Sequence, residues 1–291
     1  MAEAQEGGKL LPANALSGIT LGISVSNSPD LAQLGLLEIH FRLALAEIAR
    51  SVLISGGRLA YGGHLEPDGY TSFLVRELQR YSRRDQPLSL FLAWQEHRRF
   101  PIPDLIQFEG DLGLHGAMTY LDPEGRKIYP FDGRTNEPIP ENDAEVRRAS
   151  LTAMRRYMAE NISGRVLIGG KRNEFQGALP GIIEEAVISI ELNQPIFLVG
   201  GFGGVTHDII RALKVDDGTW LPRNPAAAEP DKRMIDGIER LVSIASKKDR
   251  CWLNNGLTEE ENRKLSATYR PSEIAGLISL GLGRLSATSK K

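Results

Sequence analysis

The sequence predicts an α/β protein: an open parallel sheet with helices on both faces, plus a helical appendage at the C-terminal end. Three observations predict it. Short apolar, β-branched runs alternate with segments of helical spacing. Three of those runs close in glycine pairs, Gly62-Gly63, Gly169-Gly170 and Gly200-Gly201. Beyond Lys214 the strand-like runs give way to helical spacing alone.

Composition narrows the function classes. At 291 residues the chain can bury a sizeable core. Thirty-five Lys and Arg against 37 Asp and Glu leave a net charge of −2, which argues against nucleic acid or an anionic membrane as partner. No apolar run approaches the ~18 residues a bilayer span needs. The N-terminal MAEAQEGGKLLPAN lacks the basic start and apolar stretch of a secretory signal, and 1–17 reads as a loose tail. Cys251 is the single cysteine, so no internal disulfide forms and the chain reads as cytoplasmic. Five scattered histidines give no metal-ligand spacing, and no cofactor is expected.

Ile19–Val25 is the first strand, and Ser24, Ser26, Asn27 and Ser28 crowd the turn after it. Those hydroxyls and amides can cap a helix or hold a phosphate. Leu36, Ile39, His40 and Leu43 begin the first helical repeat, with His40 expected to be packed and hydrogen-bonded. Arg58–Tyr61 is the second strand, closed by Gly62-Gly63 and a polar loop holding His64, Glu66 and Asp68. Arg58, Tyr61 and His64 are candidate ligand contacts there, since loops on a rigid sheet are favoured functional positions. Leu88–Leu92 is the third strand. From Pro101 to Pro140 periodicity fails, and about 101–141 reads as an insertion with one hairpin, either a lid or a decoration. Order returns with a long helix from Asn142 to about Asn161.

Val166–Ile168 is the fourth strand, ending in Gly169-Gly170-Lys171-Arg172, where two cations suit a phosphate or carboxylate. Pro180-Gly181 then opens a helix with Glu184 and Glu185 in its first turns, which also fits ordinary helix-start chemistry. The two glutamates flank the buried stripe on opposite sides, so only one can face a given cleft. Ile196–Val199 is the last strand, followed by Gly200-Gly201-Phe202-Gly203-Gly204 and a helix. Strand, glycine turn and helix in that order expose backbone N–H groups at a positive helix end, suited to an anion. The spacing is neither Gly-x-Gly-x-x-Gly nor a P-loop. Past Lys214, Pro222–Pro230 is a linker by composition, and three helices follow near Met234–Ser246, Thr258–Ser266 and Pro271–Arg284.

Together GISVSNSPDLAQLGL, LAYGGHLEPDGYT, GGKRNEFQGALPGIIEEA and PIFLVGGFGG resemble the SLOG superfamily, the Rossmann-like nucleotide-binding group that includes DprA and the LOG phosphoribohydrolases. The resemblance is greatest to a bacterial branch associated with TIR and nucleoside-phosphorylase-like domains. It covers 18–213 as one domain and leaves 214–291 as linker and helical extension. It implies a nucleotide or ADP-ribose-type ligand, a setting in bacterial conflict or anti-phage defence, a TIR-domain partner and a homo-oligomer. LOG enzymes cleave an N-glycosidic bond with a Pro-Gly-Gly-x-Gly-Thr-x-x-Glu motif. Aligned on the glycines, this chain has Val199 for the proline, Gly204 for the threonine and His207 near the glutamate's place, which counts against that hydrolysis.

Two mechanisms follow. As a binding module, the amides of Gly62, Gly63 and Gly200, Gly201, Phe202, Gly203 and Gly204 would cradle phosphates, with Ser24 and Ser26 adding hydroxyls. Lys171 or Arg172, beside Gly169-Gly170, would neutralise charge, and Glu184 or Glu185 would bind ribose hydroxyls. As an N-glycosidase or (deoxy)ribosyl transferase, Glu184 or Glu185 would be the catalytic carboxylate, with His64 or Tyr61 donating a proton to the leaving base. A scaffold that self-associates through its terminal helices is a third reading.

Overall fold

A computed structural model describes residues 14–66, 68–81, 85–131, 134–221, 229–248 and 252–289. The tail up to residue 13, Asp132-Gly133, most of the Pro222–Pro230 linker and Cys251 lie outside the described residues.

The described residues form seven strands: β1 Thr20–Ser26, β2 Arg58–Gly62, β3 Leu88–Leu92, β4 Gly116–Leu121, β5 Lys127–Ile128, β6 Gly164–Gly169 and β7 Ile196–Val199. They form one sheet in the order β5-β4-β3-β2-β1-β6-β7, parallel throughout except for β5, which pairs antiparallel with β4. The chain starts in the middle at β1, moves outward to β4, then returns to β1's other side with β6, where Ser24 sits opposite Leu167. The strand order therefore reverses at β1–β6, and crevices that bind ligands open at such reversals.

Alternation along β1 assigns the two faces. Leu21, Ile23 and Val25 pack with Phe41, Leu45 and Ile48 of α1 (Glu38–Ile54) and with Ile274, Ile278 and Leu282 of α10 (Pro271–Ser289). This cluster also takes in α2 (Tyr70–Arg80) through Leu74 and Leu78. Gly22 and Ser24 point the other way. A Cβ on Gly22 would lie 2.5 Å from Ile162 Cδ1, so glycine lets α5 (Ala144–Glu160) and the turn after it approach the sheet. That second face is completed by α6 (Gly181–Glu191), α7 (Gly204–Ala212) and α8 (Lys232–Ala245), joined through Ile183, Val187, Val205, Ile209, Met234 and Leu241.

The segment expected as an insertion belongs to the sheet. After α3 (Trp94–Arg98), α4 (Ile102–Leu112) carries the chain over to β4, which pairs in parallel with β3, and β5 adds the hairpin. The prolines that hide α4 sit at its N-cap and second position, Pro101 and Pro103, where no helical hydrogen bond is lost. β4 is only partly buried, which removes the apolar run that marks the other strands.

The C-terminal helices close the exposed edge of β7. The Ile196 N–H donates to Leu253 O at 2.9 Å, and Asn255 Nδ2 donates to Ile196 O at 2.8 Å. α9 (Glu259–Ala267) packs against β7 and α10 lies along α1, so the appendage is built onto both core and edge. Among the described residues no helix is long and apolar enough to cross a membrane.

Candidate functional site

A cavity of about 470 Å³ opens at the carboxyl ends of β1, β2 and β6, where the strand order reverses. Ser24 and Ser26 of β1 and Tyr61 and Gly62 of β2 reach it from the sheet. Gly181, Ile182 and Glu185 bring the first turns of α6 to it. Arg42 of α1, Tyr70 of α2, His64 after β2 and Lys171 and Phe175 after β6 form its mouth.

Beneath the cavity lies a buried ionic network. Arg165 of β6 is fully buried; its Nη1 donates to Ser24 Oγ at 2.9 Å and its Nε to Ser189 Oγ at 3.0 Å. Burial pulls the Arg165 guanidinium down from its ordinary value, against the charge of Glu185. Glu185 Oε2 stands 3.4 Å from Arg165 Nη1, and Glu185 Oε1 stands 3.7 Å from Arg155 Nε. Glu184, on the next position of the helix, turns instead to Arg155 and Thr152 of α5. Two arginines and two glutamates thus balance one another, and Glu185 is the glutamate that lines the cavity.

The walls supply both stacking and charge. Tyr61 is buried, and burial pushes its phenol well above the ordinary range, with Tyr70, Glu185 and Glu96 adding to the shift. Tyr61 lines the cavity from the end of β2. Tyr70 donates its hydroxyl to Asn27 Oδ1 at 2.6 Å, and Arg42 lies over the Tyr70 ring at 5.7 Å while paired to Glu38 at 2.8 Å. Lys171 is exposed and has no ion pair among the described residues. His64 Nδ1 meets Glu96 Oε2 at 2.9 Å.

The other sequence-derived candidates stand elsewhere. Arg58 is at the amino end of β2, exposed and 3.7 Å from Asp85, on the side of the sheet away from the cavity. The Gly200–Gly204 turn is occupied by the protein itself. Asp30 Oδ2 accepts the Gly204 N–H at 2.7 Å, and Arg172 holds the same carboxylate through two bonds of 2.7 and 2.8 Å while its Nε reaches Asp208 at 2.7 Å. A Cβ on Gly200 or Gly201 would lie 2.2 Å from Ser266 O or 2.0 Å from Thr268 O, so the last turn of α9 and the residue that caps it cover these two. Gly169 and Gly170, both at positive φ, pack against Gly204, with Gly170 O accepting the Val205 N–H at 3.1 Å. Gly62 and Gly63 make room for Met154 and for the Tyr61 ring. Most of these glycines serve close packing, and the structure does not bring Gly200–Gly204 or Arg172 to the cavity.

Sequence reasoning missed Arg42, Tyr70, Glu96, Arg155 and Arg165. Tyr70 had a signal, since it opens a helix that follows a polar turn. A larger groove, about 1460 Å³, runs between the ends of α7 and α8 and the start of α9, beside the amino end of β7. Among the described residues it has no buried ionic network beneath it, and it lies away from the strand-order reversal, which favours the smaller cavity as the site.

Comparison with protein families gives a match to SLOG cluster2 over residues 15–265, which includes α8 and nearly all of α9 as well as the sheet. No curated protein matches the chain.

Proposed function

Because the chain belongs to the SLOG superfamily, we propose that its cavity binds a nucleotide or an ADP-ribose-derived ligand, as a sensor module in bacterial conflict or anti-phage defence. The observation that carries this reading is Glu185, a carboxylate set into the cavity from the second turn of α6 and backed by Arg155 and Arg165. A carboxylate so placed accepts hydrogen bonds from vicinal ribose hydroxyls, while Lys171 at the mouth meets phosphate. The cavity's size lies within the range of small-molecule sites. The proposed readout is a change in a TIR-domain partner or in self-association of the chain.

Calorimetry with ADP-ribose, its cyclic isomers and nucleoside monophosphates tests the proposal. Binding by at least one of them, weakened about tenfold or more by Glu185→Gln and by Lys171→Ala, is the expected result. Absence of binding to all of them at high micromolar concentration overturns it. The competing reading, an N-glycosidase or (deoxy)ribosyl transferase, draws on the same carboxylate. Against it, both Glu185 oxygens face arginines, which weakens a nucleophile. Base release from NAD or a nucleoside monophosphate, lost in Glu185→Gln, would favour catalysis.

A further inference from the structure

At the mouth of the cavity a histidine and a buried glutamate form a pair that the proposed binding reading leaves unused. His64 is half exposed, and its Nδ1 lies 2.9 Å from Glu96 Oε2. Glu96, on α3, is 5% exposed and accepts two further hydrogen bonds on Oε1, from the Leu65 N–H at 2.9 Å and from Arg99 Nη2 at 2.8 Å. Burial pushes its carboxyl up, but the bonds from His64 and Leu65 and the charge of Arg99 more than offset this and leave it below the usual carboxylate range. An ionised carboxylate can only accept, so the proton between the two residues belongs to His64 Nδ1. The neutral ring is thereby fixed as the Nδ1–H tautomer. Its other nitrogen, Nε2, has no hydrogen-bond partner among the described residues, on a side chain that lines the cavity.

We infer that Glu96 is a positioning residue that holds His64 with Nε2 toward the cavity mouth, and that His64 in its protonated form binds the ligand's phosphate. The ligand half of this inference rests on the nucleotide-binding reading above. The charged groups around the cavity among the described residues are Glu66 and Asp68 of the same loop, Arg99 at the C-cap of α3, Glu38 and Arg42 of α1, Arg155 of α5, Lys171 and Glu174 after β6, and Glu185 of α6. Arg99 is shared between Glu66 and Glu96, Arg42 is paired with Glu38, and Arg155 is held by Glu184 and Glu185, which among the described residues leaves His64 and Lys171 as the cavity-lining groups able to meet an anion. Protonation adds an N–H at Nε2, the nitrogen that Glu96 does not engage. Contact with phosphate through His64 therefore makes binding tighten as pH falls.

Two measurements test this. Nitrogen-15 correlation spectra of the imidazole rings report the tautomer without any ligand. The expected wild-type spectrum places the neutral proton on His64 Nδ1, and Glu96→Gln shifts the ring toward a mixture of tautomers. A wild-type ring protonated on Nε2, or one indifferent to Glu96→Gln, overturns the pair. The second measurement is calorimetry with ADP-ribose, whose pyrophosphate diester does not itself ionise across the neutral range, at about pH 6 and pH 8. Wild type is expected to bind roughly tenfold more tightly at the lower pH, with His64→Gln and Glu96→Gln flattening that dependence. Equal affinity and pH dependence in His64→Gln overturns the phosphate contact. If ADP-ribose fails to bind wild type at either pH, the nucleotide-binding reading and the phosphate contact fall together, and the ring's tautomer still decides the pair.

Discussion

The carboxylate of Asp30 accepts the N–H of Gly204 at 2.7 Å, bringing the turn after β1 to the first residue of α7. A helix start with two positive-φ glycines is suited to an anion from outside, and here the anion is the chain's own. Burial pushes the Asp30 carboxyl up, while Arg172 and the Gly204 N–H pull it down further, so it sits below its ordinary range. Removing it leaves a buried N–H without its acceptor and Arg172 with Asp208 and a long bond to Gly204 O. Asp30→Ala is expected to cost about 2–4 kcal/mol in urea unfolding, and Asp30→Asn, which keeps an acceptor, roughly half as much. Full stability in Asp30→Ala would show that the turn does not need its internal anion.

Sequence patterning made the centre of the sheet legible and its consequences less so. The run through Ile23 and Val25 announces a buried strand because both faces of β1 are covered, and the same holds for Phe197 and Val199. The helix carrying Ile102 and Leu105 was obscured by Pro101 and Pro103, which are harmless at a helix start yet read as breakers. The glycines at 200–204 signalled a close approach, but an unhindered backbone looks the same in sequence whether a phosphate or Asp30 fills the space. Spacing placed Glu184 and Glu185 on opposite flanks of α6. It could not show that Arg155 and Arg165 take them up, because those partners come from α5 and β6, at separations no local pattern records.

Acid sensitivity should be traceable to His97. Its Nε2–H donates to Leu121 O at 3.0 Å, it is 1% exposed, and its buried Nδ1 has no hydrogen-bond partner among the described residues. Burial drives its pKa down to about 4, helped by Arg134 and Arg98 and opposed by the bond to Leu121 O. The unfolded chain takes up the proton near pH 6.5, before the folded chain does. Stability from this group is therefore complete above about pH 6.5 and is lost as pH falls toward about 4, by roughly 3 kcal/mol in all. His97→Gln should flatten that part of the stability–pH curve measured by denaturant unfolding. An unchanged slope in the variant would assign the sensitivity to other groups.

Glycines of the two kinds should respond in opposite senses to one methyl group. A Cβ on Gly201 would meet Thr268 O at 2.0 Å, so Gly201→Ala must displace the chain between α9 and α10. A loss of at least about 2 kcal/mol is expected. A Cβ on Gly276, within α10, would find nothing within 4 Å, and there alanine's helix preference should add about 0.5–1 kcal/mol. Thermal unfolding of the two variants side by side reads both effects, and a tolerated Gly201→Ala would mean that the covering strap yields easily.

Arg165 does not line the cavity, yet it should control the affinity of the residue that does. Its guanidinium is fully buried, and it stands 3.4 Å from Glu185 Oε2 while bonding Ser24 and Ser189. Arg165→Met removes the charge at similar volume and leaves Glu185 opposed by Arg155 alone, at 3.7 Å. An uncompensated buried carboxylate costs about 3–5 kcal/mol, whereas losing both charges together costs far less than the two losses summed. The expected cycle is therefore strongly non-additive: Arg165→Met and Glu185→Gln each destabilise, and the double variant recovers at least about 1–2 kcal/mol of their sum. Ligand affinity should follow a different pattern. Arg165→Met weakens ADP-ribose binding because Glu185 is no longer held in place, and the double variant regains stability without regaining affinity, since the acceptor for the ribose hydroxyls is gone. Recovery of both together would mean that the network serves the fold alone, and additive stability losses would mean that the two side chains do not act as a pair.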